Sequence, residues 1–218
     1  MCSHYQALKE RARLENQFNV QLPRNAGVYD VWPTYAALFI RRPAEADVGD
    51  EAVPDHEALP GQFGLVPHWA KDEKFGRRTF NARSETAAAL PSFRDAWRKC
   101  HRRIIPAEAI YEPDWRSGKA VPTRITRADG EPMGVAGLWS WWRSPAGEEL
   151  HSFSMLTINA ATHPLMRNFH TPADEKRMVV ILPEGAYDDW LHAPPTRSME
   201  FMHQFPAERL VASAQPKT

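Results

Sequence analysis

Residues 133–142, MGVAGLWSWW, and residues 151–160, HSFSMLTINA, decide the fold of this 218-residue chain. Both stretches are dominated by aromatic and other apolar residues and contain no proline, so both predict β-strands. Working outward from them, further strand patterns occur in residues 123–128, residues 102–112, a strand–turn–strand unit at residues 28–42, and a short strand ending at a turn, residues 63–69. The chain is therefore expected to contain many short strands.

Helical patterns are fewer, and they do not alternate with the strands. They predict an amphipathic helix over about residues 5–17, a helical stretch within residues 84–100 that Pro91 splits, and a short helix within residues 182–192. Residues 43–61 are acidic and rich in proline, which predicts a surface loop. We predict an α+β fold, with one domain (residues 1–205) built around an antiparallel sheet or partly open β-barrel with a few flanking helices. Residues 206–218 are predicted to form a loosely ordered C-terminal tail.

The composition indicates a neutral protein with one basic segment. The chain has 27 Lys and Arg residues against 27 Asp and Glu residues, which argues against a general nucleic-acid coat. Residues 71–103 nevertheless hold ten basic and four acidic residues, a distribution suited to a local contact with phosphates. The alternative is an ordinary solvated charged surface. Eight Trp residues could supply stacking surfaces for unpaired bases.

Several classes of protein are disfavoured. The sequence has no apolar run of about 18 residues and no signal-peptide pattern, so we expect a cytoplasmic protein without a membrane partner. Cys2 and Cys100 form neither a disulfide framework nor a C-x-x-C pair, and we expect no metal and no cofactor. His163 and His170 lack an adjacent ligand pair, which disfavours a zinc protein.

Cys2 is the main candidate for chemistry. If Met1 is removed, the thiol and the free α-amine of Cys2 lie on one residue, with reference pKa values near 8.5 and about 7.7–8.0. An aldehyde would form an imine with the amine, and the thiolate would then close a five-membered thiazolidine ring. The alternative is an incidental cysteine near a frayed terminus.

Four further residues are candidates for the same site. Asn81 and Arg83 lie in NARSET, residues 81–86; the amide can hold an amine or a sugar oxygen, and the guanidinium can bind a phosphate in bidentate fashion. Glu112 ends an apolar run, where a carboxylate packs poorly but could take and return protons. His170 has a reference pKa near neutrality, as a general acid requires. Each could instead be an ordinary structural or surface residue.

In their order along the chain, these motifs resemble the SRAP domain, the family of SOS-response-associated peptidases. The resemblance rests on MC at the start, VWPT, FGLVPHW, NARSET, IIPAEAIYE, VAGLW, MLTINA and the FH…RMVVIL segment, and covers about residues 2–192. It implies a sensor of abasic sites in single-stranded DNA that removes Met1 and links Cys2 to the ring-opened abasic aldehyde as a stable thiazolidine. This link would shield the lesion, and the protein would act as a monomer in DNA repair.

The resemblance also implies residue roles. Cys2 matches the nucleophile, Asn81 the asparagine that holds the N-terminal residue, Glu112 the glutamate of the family motif, and His170 the histidine that helps to open the sugar ring. The resemblance further implies a phosphate contact for Arg83, contacts with the flanking bases for Pro33 and Trp69, and a pocket-lining position for Thr157. Glu85 and Thr86 are expected to hold the loop.

Three departures from the family pattern bear on these roles. Ser3 and His4 stand where the family has a glycine and an arginine that contacts phosphate. Pro113 replaces an aromatic residue after Glu112, and extra residues follow His170. We therefore expect the phosphate contact at the terminus and the loop after His170 to differ from the family pattern.

Two other functions share some of these features. An N-terminal-nucleophile amidohydrolase would use the same Cys2 thiol with its own α-amine as the base. Such an enzyme would not need the basic, aromatic segment. A non-catalytic binding domain with an incidental Cys2 is the second alternative. Lyase and peptidase activities could accompany the DNA linkage, the latter through removal of Met1 assisted by Glu112 and Asn81.

Overall fold

The computed structural model describes residues 2–44, 46 and 53–215. The strands in this part are β1 (His4–Ala7), β2 (Asp30–Val31), β3 (Ala36–Arg41), β4 (Glu57–Phe63), β5 (Asn81–Arg83), β6 (Arg102–Asp114), β7 (Val121–Arg127), β8 (Met133–Arg143), β9 (Glu149–Asn159), β10 (Arg177–Val179), β11 (Ile181–Leu182) and β12 (Leu210–Ala214). The α-helices are α1 (Arg11–Phe18), α2 (Ser84–Ala87), α3 (Arg94–Arg98) and α4 (Tyr187–His192).

Five strands close into a barrel. β8 pairs with β9 and β6, β6 pairs with β3, β3 pairs with β4, and β4 returns to β9. Four of these pairings are antiparallel, whereas β4 and β9 run parallel. The predicted α+β fold is confirmed, and the β4–β9 pairing closes the barrel that the sequence analysis allowed to be partly open.

Residues 133–142 and 151–160, the two stretches with the strongest strand patterns, lie in the neighbouring barrel strands β8 and β9, except that residue 160 follows the end of β9. Every residue from Ser152 to Ile158 is buried, so both faces of β9 are covered and its sequence lacks a simple alternation. The barrel interior is aromatic: the Phe153 ring centroid lies 5.7 Å from that of Phe39 and 5.5 Å from that of Phe63. Burial of these large rings is the main stabilising contribution at this position.

The N-terminal region differs from the prediction. The helix expected over about residues 5–17 is shorter, because residues 4–7 form β1 and only residues 11–18 form α1. β1 pairs with β6 on one side and with β2 on the other, so tertiary hydrogen bonding replaces the local helical preference. The consequence for function is that the residues directly after Cys2 are fixed to the barrel.

Two further local predictions were wrong. The loop expected over residues 43–61 ends early, since residues 57–63 form β4; residues 45 and 47–52 lie outside the described residues. A strand was also expected at residues 63–69, but of these described residues only Phe63, the last residue of β4, is in a strand. Leu65 and Val66 are buried in a loop, so apolar content alone did not distinguish a strand from a buried turn.

The C-terminal segment also contains more structure than a loose tail. Residues 210–214 form β12, which pairs antiparallel with β7 in register from Leu210–Arg127 to Ala214–Thr123. Residues 216–218 lie outside the described part. Apart from Leu210, the residues of β12 are exposed, and therefore composition did not identify this edge strand.

Two short outer strands position the candidate site. β5 runs parallel to β9, with Arg83 opposite Thr157, and β10 runs antiparallel to β9, with Arg177 opposite Asn159. Both strands therefore flank the same C-terminal end of β9. This arrangement brings NARSET close to the chain that follows His170, although the two segments are far apart in sequence.

Candidate active site

Cys2 lies in the protein interior. Its side chain is 1% exposed, and its Sγ donates to the carbonyl oxygen of His4 over 3.4 Å. Burial raises the pKa of the Cys2 thiol strongly, and the nearby charge of Glu112 raises it further. The thiol is therefore held protonated until a base receives its proton. Met1 lies outside the described residues, so its removal stays a prediction.

Asn81 holds the backbone of Cys2. Its Nδ2 donates to the carbonyl oxygen of Cys2 over 2.8 Å. Asn81 is the first residue of β5 and lies opposite Met155 of β9, so the contact joins the N-terminal segment to the barrel wall. The structure thus brings these two predicted site residues together, across 79 positions in the sequence.

Glu112 and His170 form a buried pair. The distance between Glu112 Oε2 and His170 Nδ1 is 3.2 Å, and the two side chains are 1% and 4% exposed. Burial raises the pKa of the Glu112 carboxyl to about 7, and burial lowers the pKa of the His170 imidazole. Both shifts favour the uncharged forms of the carboxyl and the imidazole, and a proton on Glu112 Oε2 lies within reach of His170 Nδ1.

The other nitrogen of His170 fixes its tautomer. His170 Nε2 lies 2.9 Å from the carbonyl oxygen of Arg177, which only accepts hydrogen bonds, so Nε2 carries a proton. In the neutral ring Nδ1 is then the basic nitrogen, and it faces Glu112. The backbone is fixed as well: His170 has φ 67° and its N–H donates to the carbonyl oxygen of Pro113 over 3.0 Å. A left-handed conformation at a non-glycine residue is typical of functional sites.

The buried carboxyl of Glu112 gives a prediction about stability. Its pKa is about 7 in the folded protein against 4.5 ordinarily, so between these pH values the folded state binds more protons than the unfolded state. The contribution of Glu112 to stability should therefore be most favourable below about pH 4.5 and become unfavourable as pH rises to about 7. Glu112→Gln removes this cost and should raise the melting temperature at pH 8 by about 5 °C, a gain of about 2 kcal/mol, with little gain at pH 4.5.

Thermal unfolding of both proteins across this pH range checks the expectation. The exposed Glu208→Gln variant is the matched control and should follow the wild-type curve at every pH. A Glu112→Gln variant that is less stable than wild type at pH 8 would contradict the assignment of a raised pKa to this carboxyl.

Arg177 links the two halves of the site, although no motif in the sequence pointed to this role. This buried guanidinium binds both carboxylate oxygens of Glu85, at 3.1 and 2.8 Å, and the carbonyl oxygen of Thr157 at 2.7 Å. Its own carbonyl oxygen accepts from His170. NARSET is thereby tied to the residue that orients His170. A local sequence pattern cannot predict a contact between residues that are 92 positions apart.

The prediction of a basic face requires the cationic side chains of residues 71–103 to lie on the surface. Two of them do not. Arg102 and Arg103 are 1% and 0% exposed. The Arg103 guanidinium lies 3.8 Å from the centre of the Phe153 ring and donates to the carbonyl oxygen of Ser154 over 2.8 Å. Counting these two arginines towards a phosphate-binding surface was therefore wrong, because long cationic side chains can also be enclosed by aromatic rings.

Arg83 is half exposed but already paired. Its Nη1 lies 2.8 Å from Oε2 of Glu175, a residue of the extra segment after His170. The other oxygen of that carboxylate binds Arg177 at 2.8 Å and Asn159 at 3.1 Å. Any phosphate that uses Arg83 must therefore compete with an internal carboxylate.

The remaining predicted residues lie around this cluster. Thr157 is buried on β9, and its Oγ1 accepts from Arg177 over 3.2 Å. Pro33 lies in the turn after β2, and Trp69 is 46% exposed and packs edge-on against Phe75. The described residues contain no group of three or more potential ligands for a metal ion, and no helix among them has the length and apolarity to cross a membrane.

Comparisons with known proteins give the family. The profile of the SRAP family, described as SOS response associated peptidase, matches residues 1–215. The abasic site processing protein YoqW of Bacillus subtilis is 36% identical over 201 residues, covering 90% of this chain and 82% of YoqW. The rat abasic site processing protein HMCES is 27% identical, covering 83% of this chain and 59% of HMCES.

A solved structure has the same fold. A protein from Bordetella bronchiseptica is 52% identical and superposes with a TM-score of 0.90, covering 99% of this chain and all of that one. The match by sequence spans the closed barrel and both segments that bring Glu112 and His170 together. This chain belongs to the SRAP family.

Proposed function

We propose that this protein processes abasic sites in single-stranded DNA by linking Cys2 to them covalently after removal of Met1. The observation that carries the proposal is the cluster in which Asn81 holds the backbone of Cys2 beside the Glu112–His170 pair. The names of the relatives, abasic site processing proteins, support the same substrate. The protein would act as a cytoplasmic monomer without a cofactor.

The chemistry is a condensation followed by a ring closure. The free α-amine of Cys2 attacks the aldehyde carbon of the ring-opened abasic sugar, and loss of water gives an imine. The Cys2 sulfur then adds to the imine carbon, and the thiol proton ends on the nitrogen. The product is a five-membered thiazolidine, and no oxidant or reductant is needed. Because both nucleophiles belong to one residue, the second step is intramolecular and strongly favoured.

The buried pair supplies the proton transfers. Ring opening of the sugar needs an acid at the ring oxygen and a base at the hydroxyl, and a proton shared by Glu112 and His170 can move either way. Thiol addition needs a base, because burial disfavours the free thiolate of Cys2. The neighbouring Glu112 is suited to accept this proton, since its pKa of about 7 is close to neutral pH. A lyase step would use the same groups.

A denaturing gel tests the proposal. Purified protein, shown by mass to begin at Cys2, is mixed with a single strand that carries one abasic site and, separately, with an undamaged strand. We expect a heat-stable shifted band with the abasic strand only. Absence of this band from protein that begins at Cys2 would reject the covalent function and leave the amidohydrolase as the better account of the same cluster.

The internal pair of Arg83 and Glu175 gives a prediction about DNA affinity. Glu175→Gln should strengthen binding to a single strand by about fivefold at low salt, because it frees Arg83 and removes a negative charge beside the phosphate. Arg83→Ala should weaken binding and reduce the slope of log affinity against log salt by about one phosphate contact. Fluorescence anisotropy over a salt series measures both effects.

A double variant and a matched control complete this experiment. In Arg83→Ala/Glu175→Gln most of the gain should disappear, since the contact with Arg83 no longer exists and only the effect of the removed negative charge remains. Arg197→Ala is the control, because Arg197 is also an exposed arginine paired with a carboxylate, at 2.8 Å from Glu200. An unchanged salt slope in Arg83→Ala would exclude Arg83 from the DNA-binding surface.

A further inference from the structure

Three aromatic side chains form a continuous stack on the surface beside Cys2. The His4 ring lies between Trp32 and Tyr111, with centroid distances of 4.2 Å on both sides. The interplanar angles are 8° and 16°, so the three rings are nearly parallel. None of these three residues is among the site residues predicted from the sequence.

Strand pairing builds the stack. His4 of β1 lies opposite Tyr111 of β6, and on its other side β1 pairs with β2, which ends one residue before Trp32. The His4 imidazole is fixed further by Asp30, whose Oδ1 lies 3.3 Å from His4 Nε2. Because both faces of His4 are covered, Trp32 is a terminal ring of the stack. Its indole is 44% exposed, although large apolar side chains usually avoid water.

The turn that carries Trp32 is strained. Trp32 accepts the N–H of Tyr35 through its carbonyl oxygen over 2.9 Å, which closes a turn with Pro33 and Thr34 at its centre. Thr34 has φ 76°, a conformation that a β-branched residue adopts at a cost. Such strain persists only where the surroundings impose it, and it is concentrated at binding and catalytic sites. The turn thus constrains the backbone that carries Trp32, and stacking on His4 orients its indole.

The stack lies directly beside the proposed reaction centre. Cys2 and His4 are two residues apart, so their Cα atoms lie within about 7 Å of each other. The Cys2 Sγ donates to the carbonyl oxygen of His4, which confirms that the thiol and the stack share one short segment. A nucleotide next to one held at Cys2 is within reach of these rings.

Resting on the function proposed above, we propose that the outer face of Trp32 is a stacking site for an unpaired nucleobase adjacent to the abasic nucleotide. An abasic nucleotide has no base, so its neighbour in the strand loses a stacking partner on one side. The Trp32–His4–Tyr111 stack replaces that partner with a preformed aromatic surface. Stacking on such a surface accepts every base, because every base has a π-face. The site therefore recognises a gap in the stack rather than a sequence.

Binding to a strand with a tetrahydrofuran abasic analogue tests this inference, because the analogue has no aldehyde and reports only non-covalent affinity. Trp32→Ala should weaken binding by about tenfold, whereas Trp32→Phe, which keeps an aromatic face, should stay within about threefold of wild type. Trp141→Ala is the matched control: Trp141 is 41% exposed, on β8, and its loss should leave affinity unchanged. Equal affinities for Trp32→Ala and Trp141→Ala would overturn the inference.

A fluorescent base tests the contact directly. Binding of wild-type protein should quench 2-aminopurine placed next to the analogue on one side, and Trp32→Ala should not cause this quenching. Quenching that survives in Trp32→Ala, or is absent on both sides, would also overturn the inference. Covalent linkage to a natural abasic strand is followed in parallel. If wild type forms the Cys2 adduct while Trp32→Ala binds normally, only the stacking site fails; if no adduct forms, the proposed function itself fails.

Discussion

Replacing Cys2 by alanine should abolish the covalent complex with an abasic single strand, lowering its yield at least about a hundredfold, to the background of the gel. Alanine keeps a free α-amine but has no sulfur to close the ring, so only a reversible imine can form, and denaturation releases it. The same substitution should leave non-covalent affinity nearly unchanged, because the Cys2 side chain is buried and the backbone contact of Asn81 remains.

Cys100 provides the matched control. It is the second free cysteine of the chain, and it is exposed. Cys100→Ser should crosslink like wild type, which would show that a thiol elsewhere on the protein does not trap the aldehyde. Intact-mass measurement of each variant establishes that residue 2 is the first residue. An adduct of normal yield with Cys2→Ala would contradict the thiazolidine chemistry.

The second large effect is expected at His170. His170→Asn should slow crosslinking about a hundredfold, the usual contribution of a positioned acid or base, while affinity for the tetrahydrofuran strand stays within about twofold. Asparagine is the informative replacement because it tolerates the left-handed conformation of this residue, φ 67°, whereas alanine would add backbone strain. The rate constants come from a time course at saturating DNA.

The pH profile and a control separate a chemical role from a structural one. The wild-type rate should change around pH 7, where the Glu112 carboxyl titrates, and this inflection should shift in His170→Asn because the shared proton has lost one of its two sites. The exposed His203→Ala should behave like wild type. Equal crosslinking rates in wild type and His170→Asn would assign the proton transfer to another group.

The sequence predicted the barrel better than its ends. β6, β8 and β9 were recognisable because long apolar and aromatic runs leave few alternatives to a buried strand. The segment around Tyr5 and Leu8 was misassigned because its apolar spacing fits both a helix and a strand, and pairing with β6 decides between them. β12 was missed because an exposed edge strand has no apolar signal.

The candidate site shows the same division. Cys2, Asn81, Glu112 and His170 were found from residue chemistry and family motifs, and the structure places them in one cluster. Their assigned roles stay predictions. What local patterns could not predict are contacts between distant segments, such as that of Arg177 with Glu85. The ion pair of Arg83 with Glu175 could not be predicted either, because it depends on how β5 and β10 flank β9.

The pairing of β1 with β6 has a mechanical consequence for the proposed adduct. β1 begins only two positions after Cys2, so the segment between the linked DNA and the strand paired with β6 is very short. A force that drags the DNA along the axis of β1 would load its hydrogen bonds to β2 and β6 together, in shear, instead of opening them one at a time. The lesion would thus be anchored through β1 to the barrel strand β6, and pulling it free would require β1 to separate from β6 and β2 at the same time.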